Sequence, residues 1–455
     1  MKPRPGIRFG SALLLAIGIS AVPLLAARGL ASSFTTLCAF GAASCGSGNP
    51  YHPLGSLLKD SSGNLFGTLG WGGIYPNAGA VFEITAAGSY VEIYDFCSAG
   101  GTSCTDGETP QGNLIMDTSG NLYGTTSTGG RGHGVVYELM PPATGTTWTI
   151  KLRHKFFGSG DGQMPVAGLS YVGQSSGLLY DGTSPLYGTT QQGGIASNGV
   201  VFTLTPAATV SWTENVIYEF CNCGSPVKDG DEPSTSVVID GSGNLYGTAR
   251  GGNSGGGVLY ELSPSGSSWS ESVLYNFCPT SVSCPDGESP DANGITLDTS
   301  GGVVKVWGTT PTGGDLTYPG GGGVLYEAYA PDGSCTPNTN SLWCERVVYA
   351  FCPSGICATG RSPSGGLGPI ITNTAPYTLF FTTTNGGAND DGVLFKIRNG
   401  APHDLHDFCS ATSCADGNDP NSGLIVDSAG SFYGTTIFGG VASGAGFGTA
   451  FRYTP

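Results

Sequence analysis

The chain has 455 residues, and its formal net charge is −16. An acidic balance argues against a nucleic-acid partner, because proteins that bind nucleic acids present basic surfaces to the phosphate backbone. Glycine is abundant, at 78 residues, but 10% of the residues are aromatic, which argues against disorder and favours many short strands joined by tight turns.

The N-terminus has the pattern of a secretory signal peptide over residues 1–31. Three basic residues among the first eight precede an apolar stretch at residues 12–27, and small residues place cleavage after Ala31, with residues 26–27 as a second choice. An uncleaved anchor is the competing interpretation, because the apolar stretch is only slightly shorter than a membrane-spanning helix. The mature chain, 32–455, contains no later segment of that length. We expect a secreted protein, with the periplasm as the other location.

Cleavage makes the chain more acidic. It removes four basic residues and no acid, which leaves 13 Lys and Arg against 33 Asp and Glu, a net charge of −20. No nucleic-acid partner is expected for the mature protein.

One motif, Asn-Leu-Tyr-Gly-Thr-Thr with its variants, recurs through the mature chain. The spacing of its central position is 53 to 73 residues, about 61 on average, so seven units fill the chain and leave no room for a second domain. The central positions are Gly67, Gly124, Gly188, Gly247, Gly308, Phe381 and Gly434.

Each unit contains four short β-like runs. In the second copy they lie at residues 91–96, 113–117, 121–126 and 135–139, and an Asp-x-x-Gly turn that begins at Asp117 joins the second run to the third. Four antiparallel strands in about 61 residues is the size of a propeller blade. We therefore predict an all-β, seven-bladed β-propeller with four-stranded antiparallel blades. A linear β-solenoid is the rival fold, but each unit has the pattern of a complete up-and-down sheet.

The two ends of the mature chain predict how the ring closes. Residues 34–40 match the first run of the repeat, and residues 449–453 match its last run. If the first run is the outermost strand of the preceding blade, the last blade lacks an outer strand unless the N-terminus supplies it. We predict that Phe34–Phe40 pairs antiparallel with Thr449–Tyr453, a one-plus-three closure.

All 14 cysteines lie in the mature chain, mostly as close pairs. An even number in an exported protein favours disulfides, and the spacings are poor for zinc. Cys221 and Cys223 are the open case, because a bond across one residue is strained and yet no other partner remains. The predicted pairs are Cys38–Cys45, Cys97–Cys104, Cys221–Cys223, Cys278–Cys284, Cys335–Cys344, Cys352–Cys357 and Cys409–Cys414.

A second recurring segment, Asp-Gly-x-x-Pro, precedes the second run of most copies. Turn formation explains Asp, Gly and Pro without a ligand. The functional alternative is an acidic ring that holds calcium or a polyhydroxyl ligand; no other cofactor is predicted. Five copies carry the aspartate, and GSGNP and TGRSP take its place in the first and sixth copies. The aspartates are Asp106, Asp161, Asp229, Asp286 and Asp416.

Gly-rich loops between the third and fourth runs vary most among the copies. In a propeller these loops and the Asp-Gly-x-x-Pro loops emerge on the same face, and variable loops on a rigid scaffold commonly carry recognition. We expect a ligand to bind this face near the central channel. An exposed loop histidine without function is the competing interpretation of His133. The candidate residues on the Gly-rich loops are Trp71, Arg131, His133 and Arg250.

The repeat resembles a known family. The sequence GNLYGTT at 120–126, the Gly-Gly loop after it and GVVYEL at 134–139 are similar to the GloVer tandem repeat of exported bacterial proteins, the "choice-of-anchor" group. The resemblance covers nearly the whole mature chain and implies secretion or surface display and a propeller-like array. It brings no catalytic residues. Residues 451–455 form no apolar tail of the kind that ends many family members, so release from the cell is expected.

No sequence motif identifies a reaction. Two G-x-S-x-G matches, at 173–177 and 252–256, do not lie between a strand and a helix, and the five histidines lack metal-ligand spacing. The leading hypothesis is an extracellular binding or surface-interaction module, a monomer with a glycan or protein ligand. The alternatives are an enzyme, such as a lyase or glycan-active hydrolase with a site at the ring centre, and a structural component of the cell envelope.

Overall fold

The computed structural model describes residues 32–455 except 44, 47–49, 76, 99–103, 209–210, 225–226, 280–283, 291–293, 301, 364–376, 399 and 441–445. The predicted signal peptide lies outside the described residues. The described chain is built of β-strands, with short 3-10 helices at Gln174–Ser176, Pro353–Gly355 and Thr412–Cys414. No helix in these ranges is long and apolar enough to cross a membrane.

The strands are short, as the repeat predicts. In chain order they are β1 (Ser33–Ala39), β2 (Pro50–Pro53), β3 (Leu58–Lys59), β4 (Leu65–Gly72), β5 (Ala80–Ile84), β6 (Tyr90–Asp95), β7 (Ile115–Met116), β8 (Leu122–Thr126), β9 (Val135–Met140), β10 (Thr149–Lys155), β11 (Leu186–Thr190), β12 (Val200–Thr205), β13 (Thr213–Glu219), β14 (Val238–Ile239), β15 (Leu245–Ala249), β16 (Val258–Ser265), β17 (Ser268–Asn276), β18 (Thr296–Asp298), β19 (Lys305–Thr310), β20 (Val324–Tyr329), β21 (Cys344–Ala350), β22 (Thr378–Thr383), β23 (Val393–Arg398), β24 (Ala401–Asp407), β25 (Ile425–Val426), β26 (Phe432–Thr436) and β27 (Thr449–Thr454).

These strands form seven antiparallel sheets arranged in a ring, so the predicted seven-bladed β-propeller is confirmed. The first blade contains β2 to β6, the second β7 to β10, the third β11 to β13, the fourth β14 to β17, the fifth β18 to β21 and the sixth β22 to β24. The seventh blade joins β25, β26 and β27 from the C-terminus to β1 from the N-terminus.

The predicted closure is also confirmed. Strand β1 pairs antiparallel with β27, with Phe34 opposite Tyr453 and Ala39 opposite Thr449. The N-terminal strand is therefore the outer strand of the last blade. Strand β1 covers the edge of β27 that would otherwise be exposed, and the ring leaves only short edges at the outer strands.

Three blades depart from the expected four strands. The first blade has five, because β2 and β3 both pair with β4. In the third blade a single antiparallel β-bridge between Ser170 and Tyr187 replaces the inner strand. Ser170 N donates to Tyr187 O at 2.8 Å, and Tyr187 N donates to Ser170 O. The chain turns away after Ser170 because this copy carries extra residues, 171–185, before its second strand. In the sixth blade the segment before β22 falls in 364–376, outside the described residues.

The core lies between the blades. A phenylalanine at the end of each outer strand packs against an aromatic ring on the third strand of the next blade, with ring centroids 4.9 to 5.5 Å apart. The seven pairs are Phe40–Phe82, Phe96–Tyr137, Phe156–Phe202, Phe220–Tyr260, Phe277–Tyr326, Phe351–Phe395 and Phe408–Phe451.

These pairs explain the recurring Gly-Thr-Thr. A Cβ on Gly124 would overlap the Tyr137 ring, so the glycine makes room for the aromatic residue. The hydroxyl of Thr125 donates to Ala167 O of the following blade at 2.7 Å, and that of Thr126 donates to Thr128 O at 2.9 Å. The motif therefore holds neighbouring blades and loops together and has a structural role.

A second contact between blades involves the proline of Asp-Gly-x-x-Pro. A glycine with positive φ precedes each third strand, and a Cβ there would come closer than 3.0 Å to the proline ring of the next blade. In the first copy the sequence segment GSGNP predicts Pro50 at this position. The proline that faces Gly448 is instead Pro53. The other pairs are Gly79–Pro110, Gly134–Pro165, Gly199–Pro233, Gly257–Pro290, Gly323–Pro363 and Gly392–Pro420.

The disulfide prediction is confirmed for all seven pairs, including the pair across one residue, Cys221–Cys223. The third copy has no cysteines, and Asp161 there accepts a hydrogen bond from Phe157 N at 2.9 Å, which holds the same turn. Seven disulfides indicate an oxidising, extracellular environment.

Candidate functional site

Two families of loops meet on one face of the ring. In the second blade, Glu108 N of the Asp-Gly-x-x-Pro segment donates to Thr128 O of the Gly-rich loop at 2.9 Å, and Thr128 N donates back at 3.1 Å. We call the face that carries both families the loop-rich face, and the opposite one, with the Asp-x-x-Gly turns, the hairpin face. Equivalent bridges are Gln163–Gln192, Asp231–Arg250, Glu288–Thr312, Arg361–Asn385 and Asn418–Phe438.

The five candidate aspartates lie beneath these loops. Asp106, Asp229, Asp286 and Asp416 are only 5–6% exposed. In the sixth copy, where Thr359 replaces the aspartate, its hydroxyl pairs with Tyr349 OH at 2.8 Å. Elsewhere the carboxylate accepts a hydrogen bond from an outer-strand Tyr or His: Tyr94–Asp106 at 2.7 Å, His154–Asp161 at 3.1 Å, Tyr218–Asp229 at 2.8 Å, Tyr275–Asp286 at 2.9 Å and His406–Asp416 at 3.0 Å.

The same carboxylates accept backbone hydrogen bonds from the turn that follows the outer strand. Asp286 accepts Cys278 N at 3.2 Å, and burial raises the pKa of Asp286. At Asp416 burial opposes ionisation, but hydrogen bonds from His406 and Ser410 outweigh it and set the pKa at about 2. These contacts give the aspartates a role in supporting the loops. Direct contact with a ligand or with calcium stays a prediction.

Two candidates of the Gly-rich loops are open to solvent. Trp71, predicted on a Gly-rich loop, lies instead within strand β4 of the first blade; its side chain is 43% exposed and lies edge-on to His52, with ring centroids 4.8 Å apart. Arg250, in the fourth blade, pairs with Glu232 at 3.1 Å at an exposed position. Such an exposed ion pair contributes little to stability.

The other two candidates lie together in the second blade. The guanidinium carbon of Arg131 lies 4.1 Å from the ring centroid of Phe157, which is itself 56% exposed. His133 is half-buried, and its carbonyl accepts Met164 N at 3.0 Å. The structure therefore distributes the four loop candidates over three blades, and only Arg131 and His133 share a loop.

The inner segments of the blades surround a central cavity of about 420 Å³. Among the described residues that line it, none carries a titratable side chain. Its polar groups are hydroxyls and carboxamides, which both donate and accept hydrogen bonds. They include Ser56, Gln111, Asn113, Ser236, Asn421 and Ser422.

Part of this lining is held in place by the protein itself. Asn113 Oδ1 accepts Ser56 N at 2.6 Å, and Gln111 Nε2 donates to Ser127 Oγ at 3.2 Å. By contrast, the half-buried Asn421 makes no side-chain hydrogen bond to the part of the chain that the structure describes. Its carboxamide is therefore available to a molecule in the cavity.

The extra residues of the third copy, 171–185, contact the second and fourth blades on either side of the third blade. Ser175 Oγ donates to Ile239 O of the fourth blade at 3.2 Å, and Thr118 N of the second blade donates to Tyr180 O at 3.1 Å. Gln174 and Ser175 thereby contribute to the cavity wall.

Sequence reasoning did not identify the cavity-lining residues. Their signal is a short stretch of small and polar residues between the proline and the inner strand, as in QGN at 111–113, STS at 234–236 and NSG at 421–423. Such stretches are also typical of turns, so the pattern alone does not distinguish a lining from a linker.

Neither a protein-family model nor a curated protein sequence matches the chain. Among solved structures, a gluconolactonase from Xanthomonas campestris is 9% identical with a TM-score of 0.41, over 93% of this chain and 89% of that one. A Trypanosoma rangeli sialidase is 10% identical with a TM-score of 0.40, over 93% of this chain and 58% of that one, so the chain spans less than two thirds of the sialidase. Similarities this low say nothing about activity.

Proposed function

We propose that the protein is an exported binding module that holds an uncharged, hydroxyl-rich molecule, such as a neutral oligosaccharide, in its central cavity. The observation that carries this proposal is the cavity lining of hydroxyl and carboxamide groups without a titratable side chain among the described residues. A volume of about 420 Å³ falls in the usual range of small-molecule sites.

The chemistry of the lining favours binding over catalysis. Sugar hydroxyls both donate and accept hydrogen bonds, as does the side chain of Asn421, whereas Ser236 Oγ donates to Gly168 O at 3.0 Å and can only accept from a ligand. General acid–base catalysis needs a group that titrates near the working pH, and the described lining supplies none. We therefore place the binding hypothesis ahead of the lyase or hydrolase alternative.

Export supports an extracellular ligand. The predicted signal peptide, the seven disulfides and the resemblance to the GloVer repeat all favour a protein that works outside the cytoplasm. We further propose that the protein is a secreted monomer, with surface display as the alternative that the resemblance implies.

The test is a binding titration of the mature chain, produced with its disulfides, against neutral oligosaccharides. Asn421→Ala removes the free carboxamide and should weaken binding about tenfold, since an unpaired ligand hydroxyl costs roughly 1–3 kcal/mol. Asn421→Trp should block the cavity and abolish binding. Asn215→Ala, on an exposed outer-strand position, is the matched control and should leave binding unchanged.

Three results would count against the proposal. Binding that survives Asn421→Trp would place the ligand elsewhere, and the absence of saturable binding to the whole panel would contradict a neutral glycan ligand. Turnover of any oligosaccharide would favour the enzyme alternative.

A further inference from the structure

One outer strand differs in charge from the others. Strand β10 contains Lys151, Arg153 and Lys155 and no acid, whereas β6, β13, β17, β21 and β24 each contain at least one Asp or Glu. Basic residues on an edge strand can serve to prevent edge-to-edge association. Acidic residues occupy the outer strands of five other blades, and β1 of the seventh blade carries no charge, so edge protection does not require a basic strand here.

The three cations of β10 have different environments. Arg153 is buried, pairs with Glu138 on the neighbouring strand and lies over the Trp212 ring at 4.8 Å, so its charge is compensated. Lys151 is exposed and Lys155 is half-buried, and neither has a carboxylate within 4.0 Å in the described parts of the chain. Two positive charges of the strand therefore remain uncompensated.

A third uncompensated cation, Arg131 of the Gly-rich loop, lies beside these two lysines. Arg131, Lys151 and Lys155 line one groove of about 480 Å³ at the rim, together with Phe157, Leu152 and Ser211. Arg131 lies over one face of the exposed Phe157 ring. Asp161, close in sequence, is turned towards His154 and Phe157 N and does not line the groove.

We propose that this rim groove binds an oxyanion group, a phosphate, sulfate or carboxylate, carried on an otherwise uncharged molecule. The planar guanidinium of Arg131 suits bidentate contact with an oxyanion, and the two lysines add point charges. The net charge of −16 repels a polyanion from the rest of the surface, which favours a ligand with one or two charges. The exposed edge of Phe157 offers contact to the apolar part of the ligand.

The site is independent of the central cavity, since the two share no lining residue. The experiment is a calorimetric titration of the folded mature protein at low salt with inorganic phosphate, inorganic sulfate and methyl glucuronide, with methyl glucoside as the uncharged match. We expect saturable binding of the anions, binding of methyl glucuronide at least several-fold tighter than the inorganic ions, and none of methyl glucoside.

Substitutions locate the binding. The double variant Lys151→Gln/Lys155→Gln and the single variant Arg131→Gln should each weaken anion binding about tenfold or more, and the affinity should fall with added salt. Arg398→Gln, which removes an exposed cation from the sixth blade, is the matched control and should have no effect. Asn421→Ala should also leave anion binding unchanged, which separates this proposal from the function proposed for the cavity.

Either of two results would overturn the inference. One is that none of the anionic probes binds saturably, although the thermal unfolding of the protein is normal. The other is anion binding that all three groove substitutions leave intact, which would place it elsewhere. In both cases the lysines of β10 would be edge-protecting residues.

Discussion

At the scale of single residues, the contacts between blades depend on glycines that a side chain cannot replace. Gly199 has a φ of +95°, and a Cβ there would lie 2.7 Å from the Pro233 ring of the next blade. Positive φ disfavours any other residue, and the proline belongs to a fixed turn and cannot move aside easily. The glycine and the proline thus act as one contact, although 34 residues separate them in sequence.

This contact gives a first prediction. Gly199→Ala should lower the free energy of unfolding by about 2–4 kcal/mol, because backbone strain acts together with overlap of the new Cβ with Thr190 O at 2.4 Å and with Pro233 at 2.7 Å. Urea unfolding followed by tryptophan fluorescence measures the change. Gly241→Ala is the control, since a Cβ there has open space, and its stability should stay within about 0.5 kcal/mol of the wild type. Equal effects of the two substitutions would contradict the Gly–Pro contact.

A second prediction concerns an outer-strand carboxyl group. Burial raises the pKa of Glu345 to about 8, with a further contribution from the charge of Asp286, and Glu345 Oε1 has no hydrogen-bond partner among the described residues. Since the folded-state pKa lies above the ordinary value of 4.5, the protonated group favours folding. Its contribution is complete below pH 4.5 and is lost as the pH rises through about 8.

Glu345→Gln keeps the shape of the protonated side chain, but its carboxamide does not ionise. The variant should match the wild type at pH 4.5 and exceed its unfolding free energy by roughly 5 kcal/mol at pH 9, because each unit of the pKa shift from 4.5 to about 8 is worth about 1.4 kcal/mol. Thermal or urea unfolding across this pH range provides the measurement. Glu232→Gln, at an exposed ion pair, is the control for loss of charge. A difference between Glu345→Gln and the wild type that is constant with pH would contradict the assignment.

At the scale of strands and loops, the sequence predicts local features well. The spacing of Asn-Leu-Tyr-Gly-Thr-Thr predicts the seven blades, and the matching end segments predict how the ring closes. The close spacing of the cysteines predicts the disulfides. Each of these depends on residues that are near in sequence or on a repeated pattern. Features that depend on contacts between copies were missed, among them the equivalence of Pro53 and the contacts of segment 171–185.

The candidate site was harder to predict for the same reason. Asp106 and its equivalents stand out in the sequence because they recur, but they recur because each supports its own loop through a Tyr or His on the outer strand. The cavity is formed by residues such as Asn113 and Asn421, which lie in different copies and meet only when the ring closes. A site assembled from several repeats leaves no linear motif.

The N-terminal strand gives a third prediction. A mature chain without residues 32–40 loses the pairing of β1 with β27, the Phe40–Phe82 contact and the Cys38–Cys45 disulfide, so the ring should open between the seventh and first blades. We expect a melting temperature lower by more than 10 °C, or failure to fold, because hydrogen bonds and core packing are lost together. Residues 32–40 should restore cooperative unfolding when they are attached after Pro455 through a short turn. A truncated chain with unchanged stability would contradict the one-plus-three closure.

At the scale of the whole molecule, the ring has two chemically different faces. The hairpin face consists of Asp-x-x-Gly turns held by their own aspartates, as where Asp117 accepts Ser119 N at 2.8 Å, and segment 171–185 joins the second blade to the fourth. The loop-rich face carries the loops that vary most between copies. A rigid scaffold with one variable face is suited to recognition.

Hydrogen exchange measured by mass spectrometry, with and without a bound neutral oligosaccharide, tests this account most directly. The account predicts that the ligand slows exchange in the segments that line the cavity, 111–113, 234–236 and 421–425, and leaves the Asp-x-x-Gly turns of the hairpin face unchanged. Protection confined to the hairpin turns or to the outer strands, with none in the cavity-lining segments, would contradict it.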